Sequence, residues 1–149
     1  MYAREDSALA HRLVPGVVTL PSARTKVGMK LLGELQSVRH LVIPEGVKVV
    51  RDRWFYETVI ETVVVPESTT ELGEETFCRC IRLRAVVFAT DGKLSKIGRC
   101  CFQNSGLEAI QLPMNVRELG EEAFADTPLA VKYVSFPSAA CVENAFGRK

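Results

Sequence analysis

The sequence lacks the features that mark several specialised classes of protein. It has no apolar run that approaches the ~18 residues of a membrane-spanning helix. Its 19 basic and 18 acidic residues leave a formal net charge of +1, whereas a dedicated nucleic-acid-binding domain is usually strongly basic. Its 149 residues, 25% charged and 47% hydrophobic, have the composition of a globular protein and exclude a disordered or collagen-like chain. We therefore expect one domain with no membrane span and no nucleic-acid partner.

Signals for secretion are also missing. The first residues, Met1 to Ala8, carry charges instead of an apolar core, and no Asn-x-Ser/Thr acceptor for a glycan occurs. The cysteines are odd in number, clustered and without the spacing of a disulfide framework: Cys78, Cys80, Cys100, Cys101 and Cys141. We therefore expect an intracellular location, with the compartment left open.

Motifs for catalysis and metal binding are missing as well. The two histidines, His11 and His40, have no triad-like setting, and the phosphate-loop, Gly-x-Ser-x-Gly and His-Glu-x-x-His motifs are all absent. Neither cysteine pair has the Cys-x₂₋₄-Cys spacing that is typical of zinc. We predict no enzymatic activity, no catalytic residue, no cofactor and no metal. A reactive or cross-linking Cys78 or Cys100 stays open as an alternative.

What the sequence does contain is a repeat. Short apolar triplets end at six regularly spaced slots, which are Pro21, Pro44, Pro66, Ala89, Pro113 and Pro137. The steps between these slots are 23, 22, 23, 24 and 24 residues. Asp91-Gly92 lengthens the fourth unit by a two-residue turn. A nearly constant period of this length is typical of a solenoid, in which each unit forms one coil and stacks on the next.

Two further kinds of residue recur at fixed positions after each slot, and we call each set of equivalent positions in the six units a column. A Val, Leu or Ile is usually followed by Gly, for which we expect a backbone conformation that other residues resist. A Phe stands four residues after that Gly, and we expect the Phe side chains to stack inside the wall opposite the strands. Three residues after each Phe comes a small residue with a polar hydrogen: Thr58, Cys80, Ser105 and Thr127. The same frame puts Cys101 in a buried column and Cys100 in a column that should face water.

The frame resembles the BspA-like class of leucine-rich repeats over roughly residues 15–146. The residues that carry the resemblance are Leu107-Glu108-Ala109-Ile110-Gln111-Leu112-Pro113 and then Leu119-Gly120-Glu121-Glu122-Ala123-Phe124. The resemblance implies a right-handed leucine-rich-repeat solenoid, with short parallel strands on the concave face and mostly irregular or short helical convex turns. It also implies a binding module without catalytic residues.

The predicted domain organisation follows from the same frame. Residues 1–14 form an N-terminal leader, in which Leu9 and Leu13 favour a capping helix. Residues 15–149 form a solenoid of about six units of 22–24 residues, of which the last is incomplete. No cap follows the last unit. We therefore expect that end to continue in a longer protein, to dimerise, or to be covered by a neighbour in a larger complex.

The candidate site is the predicted concave face. Its outward positions include seven candidate partner-binding residues: His40, Val42, Thr62, Val64, Ala85, Val87 and Tyr133. Val42, Val64 and Val87 would form one apolar stripe, because adjacent strands lie ~4.8 Å apart. An exposed apolar stripe usually marks an interaction surface. The alternatives are that these valines are simply good strand formers, or that the N-terminal segment covers them.

A second candidate surface surrounds Trp54 and Tyr56. Trp54 occupies a column that is otherwise small, so its ring must point outward or be covered. Trp, Tyr and Arg are enriched among the residues that dominate interface energies. We expect a non-enzymatic protein–protein interaction module that binds a partner through the concave face. The alternative is a small structural accessory subunit of a larger assembly, held through its ends and the Trp54 region.

Overall fold

The structure is a computed structural model that describes residues 17–19, 38–129, 134–135 and 144–147. Three parts of the sequence analysis lie outside the described residues: the predicted leader at 1–14, the candidate residue Tyr133, and Cys141. Within them the chain forms four coils that can be followed in full, which we number by the sequence units: coil 2 (38–59), coil 3 (60–82), coil 4 (83–106) and coil 5 (107–128).

Short parallel strands build two walls of the solenoid. The strands are β1 (Val17–Thr19), β2 (His40–Val42), β3 (Val49–Val50), β4 (Thr62–Val65), β5 (Glu71–Leu72), β6 (Ala85–Phe88), β7 (Lys96–Ile97), β8 (Ile110–Gln111), β9 (Glu118–Leu119) and β10 (Val134–Ser135). The first wall contains β1-β2-β4-β6 and, as a separate pair, β8-β10. The second wall contains β3-β5-β7-β9. The predicted repeat solenoid with short parallel strands is therefore confirmed.

The second wall of strands differs from the sequence prediction, which placed strands on the concave face alone. These strands have only two residues each, and in β3, β5 and β7 the second residue is fully buried: Val50, Leu72 and Ile97. A two-residue strand is too short to show an alternating pattern, so nothing in one unit distinguishes it from a turn. Residues 38–129 contain turns and no helix, in agreement with mostly irregular convex turns.

A column of stacked phenylalanine rings fills the wall opposite the strands. The rings of Phe55, Phe77, Phe102 and Phe124 follow one another at centroid distances of 5.3, 5.5 and 5.5 Å, with interplanar angles of 12° or less. All four side chains are at most 1% exposed. This arrangement confirms the predicted stack of rings and fixes the register of each coil on the next, because a ring can stack only on the ring one unit away.

The glycines that recur in the repeat frame allow close approach of neighbouring coils and do not adopt an unusual backbone angle. At Gly98 an added Cβ would lie 2.5 Å from the carbonyl carbon of Gly73 in the preceding coil and 2.6 Å from the backbone nitrogen of Glu74. Positive φ values occur at Gly46 and Gly147, and not at the frame glycines Gly73, Gly98 and Gly120. The expectation of a conformation that other residues resist is therefore wrong for these three positions.

The left-handed conformation occurs at two other positions of every coil. Eight non-glycine residues have φ between 52° and 61°, and they stand two residues before and two residues after each Phe: Arg53, Glu57, Glu75, Arg79, Cys100, Asn104, Glu122 and Asp126. Each such residue costs ~1–2 kcal/mol of backbone strain. Seven of these residues donate their N–H groups to carbonyls of the next coil, as from Arg53 to Glu74 and from Glu57 to Cys78, both at 3.0 Å. These inter-coil hydrogen bonds offset the strain.

Candidate functional site

The outward side chains of β2, β4, β6 and β8 form one surface, which we call the strand face. Along these strands the inward residues Leu41, Val63 and Val86 are at most 7% exposed. On the outward side Val64 is 41% and Val87 is 55% exposed, while Val42 is half-buried. Of the other candidates, His40 is exposed, and Thr62 and Ala85 are half-buried. The strands therefore bring six of the seven candidate residues onto one surface.

The register of the strands sets the neighbours on this face. Val42 pairs with Val64, and Val64 pairs with Val87, so the three valines are consecutive across β2, β4 and β6. His40 pairs with Thr62 in the same way, and the His40 Nδ1 atom lies 2.7 Å from the Thr62 hydroxyl oxygen. The strand face thus has an apolar row beside a row of polar and small side chains.

Charged side chains flank the strand face without giving it one sign. Arg39 and Glu61, which precede β2 and β4, form an ion pair at 3.6 Å. Four more ion pairs are recorded among the described residues, and all of them join coil 2 to coil 3 or coil 3 to coil 4. Exposed pairs of this kind contribute ~0–1 kcal/mol each. Arg39, Glu61, Arg84 and Glu108 alternate in sign at equivalent positions of successive units, a pattern that favours lateral pairing. Arg39 and Glu61 form such a pair, whereas no ion pair between Arg84 and Glu108 is found within residues 38–129.

A cleft opens where the strand face passes from coil 4 to coil 5. No bridge joins β6 to β8 in the described residues, although the two strands are in contact. The cleft has a volume of about 360 Å³ and lies at the carboxyl ends of these strands, between Phe88 and Met114. Sequence reasoning missed this cleft. The available signal was the Asp91-Gly92 insertion in coil 4, next to the exposed Met114 in the slot after Pro113.

Trp54 and Tyr56 lie together at the second candidate surface. Trp54 is half-buried and packs its ring edge-on against Phe55 at a centroid distance of 6.4 Å. The guanidinium carbon of Arg53 lies 4.3 Å from the centroid of the Tyr56 ring. A hydrogen bond to Tyr56, with the Glu57 carboxylate 2.8 Å away, raises the pKa of the Arg79 guanidinium. The surface therefore combines the rings of Trp54 and Tyr56 with two guanidinium groups, of Arg53 and Arg79, that already contact Tyr56 and a carboxylate.

The cysteines in coils 3 and 4 are buried thiols. Burial is the main cause that raises the pKa of Cys78 to about 11, and it also raises the pKa values of Cys80 and Cys101. Cys80 fills the small polar column as expected, and its thiol donates to the Phe55 carbonyl oxygen at 3.0 Å. A raised pKa leaves the thiol protonated, and the protonated form is a poor nucleophile.

Cys100 does not face water as its column predicted. Its column partners are longer side chains, and Cys100 is only 8% exposed between Glu75 and Glu122. Its Sγ atom lies 3.9 Å from Glu122 Oε2. A short side chain in this column is therefore covered by the carboxylates of the neighbouring coils. Among the described residues, no three potential metal ligands come together.

In the part of the chain that the structure describes, no helix has the length and apolar character needed to span a bilayer.

Comparison with known families gives one match that covers most of the chain. The family described as BspA type Leucine rich repeat region matches residues 16–138 in six copies. No curated protein shows significant similarity to the chain.

Solved structures share the fold. The chain is similar to a leucine-rich repeat protein from Eubacterium ventriosum, with 19% identity and a TM-score of 0.64 over 76% of this chain and 32% of that one. It is similar to the pneumococcal vaccine antigen PcpA, with 23% identity and a TM-score of 0.58 over 78% of this chain and 30% of that one. A leucine-rich repeat protein from Bacteroides capillosus has 24% identity and a TM-score of 0.57, over 81% of this chain and 88% of that one. The chain spans about a third of the length of the first two proteins.

Proposed function

The chain belongs to the BspA-type leucine-rich repeat family, and we propose on that premise that it binds a protein partner through the strand face, without catalysis. Leucine-rich repeat proteins are generally protein-interaction modules. The proposal adds the surface and the residues that make the contact.

The observation that carries this proposal is the row of valines across consecutive strands. Val64 and Val87 are adjacent in the register and are 41% and 55% exposed; among the described residues the other exposed large hydrophobic side chains are Val49, Ile81 and Met114. Burial of apolar surface contributes roughly 25 cal/mol per Å² to association. β-branched side chains on paired strands also have few rotamers, so they lose little entropy on binding. The face is therefore pre-organised for contact.

The test compares two exposed apolar positions in the full chain. Val64→Glu introduces a charge on the strand face, whereas Ile81→Glu introduces the same charge at a residue that is 73% exposed and outside that face. Proteins captured by the wild type and by both variants are quantified by mass spectrometry. We expect a specific partner to be reduced at least ~tenfold by Val64→Glu and retained by Ile81→Glu, since ~1.4 kcal/mol corresponds to that factor. Equal retention by both variants would contradict binding through the strand face.

A second candidate function rests on the Trp54 region. Here the chain would be an accessory subunit of a larger assembly, held through its ends and through the cluster of Trp54, Arg53 and Tyr56. The cluster supports this role because it combines the residue types that dominate interface energies, with the Arg53 guanidinium over the Tyr56 ring. Tyr56→Ser distinguishes the two functions. Loss of the partner with Tyr56→Ser and its retention with Val64→Glu would favour the accessory subunit.

A further inference from the structure

The backbone hydrogen bonds of the first wall are interrupted at one junction between coils. Where β4 begins, the Thr62 N–H donates to the Arg39 carbonyl of coil 2 at 3.1 Å. Where β6 begins, the Ala85 N–H donates to the Glu61 carbonyl of coil 3 at 3.3 Å. The equivalent N–H of coil 5, at Ala109, has no recorded backbone acceptor in coil 4 within residues 38–129, and no bridge joins β6 to β8 there. The first wall is therefore continuous from coil 2 to coil 4 and interrupted before coil 5.

The interruption lies next to the two-residue insertion of coil 4. The inserted residues, Asp91 and Gly92, belong to a tight turn in which the Gly92 N–H donates to the Ala89 carbonyl at 2.9 Å. The side-chain amide of Asn115 in coil 5 donates to the Gly92 carbonyl at 3.0 Å. On this side, coil 5 therefore meets coil 4 through a side-chain bond to the inserted turn, where the earlier junctions have a backbone ladder.

The other two sides of the solenoid are continuous across the same junction. In the second wall, the Gly120 N–H donates to the Ile97 carbonyl at 2.8 Å, and β7 pairs with β9. On the phenylalanine side, the Phe102 N–H donates to the Ala123 carbonyl at 2.8 Å. The rings of Phe102 and Phe124 stack at 5.5 Å with their planes within 1° of parallel. Coils 4 and 5 are thus bonded on two sides and lack the ladder on the third.

Ion pairs do not replace the missing ladder. The five ion pairs recorded among the described residues join coil 2 to coil 3 or coil 3 to coil 4, and none of them joins coil 4 to coil 5. The strand side of this junction instead holds the cleft of about 360 Å³ between Phe88 and Met114. In a repeat protein each unit contacts only its neighbours, so other junctions do not compensate for a weak one. Segments held by few hydrogen bonds open at a lower free energy than the rest of a fold.

We propose that the solenoid has a hinge between coils 4 and 5, at which the strand side opens while the second wall and the phenylalanine stack stay closed. Coils 2 to 4 move as one body, because bridges and ion pairs join them, and opening tilts coil 5 away from them on the strand side. This conformational change alters the curvature of the strand face. It does not rest on the proposed function, because it depends only on contacts within the chain.

The backbone identifies the amides that report on the opening. The N–H groups of Ala85 and Ala89 donate to carbonyls of coil 3. Successive N–H groups of a strand point to opposite neighbours, so the N–H groups of Val86 and Phe88 face coil 5. Val63 occupies the position equivalent to Val86 in the preceding strand, and its N–H faces coil 4 across a bridged junction. Val86 and Val63 therefore form a matched pair of probes.

Amide hydrogen exchange of the full ¹⁵N-labelled chain, followed by NMR, tests the hinge. Both probe residues are buried, with Val86 7% and Val63 0% exposed, so fast exchange at Val86 requires opening. We expect the Val86 amide to exchange on the order of a hundredfold faster than the Val63 amide, and on the order of a hundredfold slower than in an unfolded peptide. The amides of Gly120 and Phe102 should exchange as slowly as that of Val63, because the second wall and the phenylalanine side stay closed.

Two matched variants test the role of the inserted turn. Asn115→Ala removes the side-chain bond to the Gly92 carbonyl and should speed exchange at Val86 several-fold without changing Val63. Ser68→Ala is the control, since Ser68 follows Pro66 at the same spacing as Asn115 follows Pro113. Its hydroxyl oxygen accepts from the Gly46 N–H at 2.9 Å across the bridged junction of coils 2 and 3, so its loss should leave the exchange of both probe amides unchanged.

Four results would overturn the hinge. Equal protection of Val86 and Val63 would mean that the junction stays closed, and exchange of Val86 at the rate of an unfolded peptide would mean a permanent gap. Exchange of Gly120 and Phe102 as fast as that of Val86 would mean that the coils separate completely. The same exchange rate at Val86 in Asn115→Ala and in Ser68→Ala would mean that the inserted turn does not restrain the opening.

Discussion

The rings of Phe77 and Phe102 lie 5.5 Å apart, centroid to centroid, with their planes within 4° of parallel. The two residues stand 25 positions apart in the sequence, and the backbone N–H of Phe77 donates to the Cys101 carbonyl of the next coil at 2.8 Å. The stack and the hydrogen bond therefore act on the same contact between coils. This contact repeats through the solenoid and ends at Phe146, whose ring is tilted by 31° from Phe124.

The centre of the phenylalanine stack should be more sensitive than its end. Phe102→Leu leaves a gap between two parallel rings, whereas Phe146→Leu changes a half-buried side chain at the end of the stack. Complete truncation at Phe102 to Ala should cost ~3–5 kcal/mol, and Phe102→Leu part of that. Urea unfolding followed by circular dichroism measures both leucine variants. A larger loss at Phe146 than at Phe102 would contradict stabilisation by the inner stack.

The frame glycines should resist substitution because of space. Gly98→Ala places a Cβ 2.5 Å from a carbonyl carbon of the neighbouring coil, and we expect it to cost about 3 kcal/mol or more. Gly46→Ala is the matched control, since Gly46 has φ of 97° and open space around its Cβ position. Its cost should be about 1 kcal/mol, from backbone strain alone. Thermal unfolding of the two variants compares them, and equal costs would exclude close approach as the main cause.

We expect one hydroxyl group in the core to lower the stability of the fold. The Ser105 side chain is 3% exposed, and its Oγ atom has no recorded hydrogen-bond partner in the part of the chain that the structure describes. A buried unsatisfied group costs ~1–3 kcal/mol, so Ser105→Ala should raise the free energy of unfolding. Thr58→Val should lower it by ~1 kcal/mol, because the Thr58 hydroxyl donates to the Phe55 carbonyl at 2.9 Å. Denaturant titration of both variants shows whether the signs are opposite.

Cys78 should react slowly with alkylating reagents at neutral pH. Burial, followed by the Glu75 carboxylate, raises its pKa from 9.0 to about 11, which lowers the thiolate fraction near pH 8 by about a hundredfold. The rate with iodoacetamide should therefore rise until about pH 11, and Glu75→Gln should shift that midpoint downward. Rapid modification of the folded chain at pH 8 would contradict this.

The same shift predicts the direction of pH-dependent stability. The folded-state pKa of Cys78 is raised above its unfolded value of 9.0, so its contribution is complete below pH 9 and is lost as the pH rises toward 11. Unfolding free energies of the wild type and Cys78→Ala, measured between pH 8 and pH 10.5, should converge if the thiol contributes in this way. A constant difference would rule out the contribution.

Much of the strand face could be predicted because its pattern is local. The strand of one unit, such as Leu41 between His40 and Val42, already shows which side chains point inward. The column of small residues with a polar hydrogen could also be predicted from the pattern within one unit. Thr58 and Cys80 in this column both donate a hydrogen bond to the Phe55 carbonyl oxygen. Ser105 follows the same sequence pattern without the same bond, so the pattern predicts burial more reliably than pairing.

Other features could not be predicted because they depend on residues one coil apart. Cys100 appeared exposed by its column, yet the carboxylates of Glu75 and Glu122 in the adjacent coils cover it. For the frame glycines the sequence predicted a backbone conformation that other residues resist, yet their role depends on the distance to the preceding coil. The cleft beside Met114 required the positions of two coils at once, since an insertion in one of them changes its fit to the next.

The sequence by itself determined the period, the order of the coils and the residues that face the core, because these follow from apolar spacing within each unit. Tertiary structure decided how neighbouring coils meet. It placed the left-handed residues beside each Phe, gave Gly98 its contact with Gly73, and interrupted the strand ladder between β6 and β8. The physical reason is that these features are set by distances between units, and distances between units are established only when the coils stack.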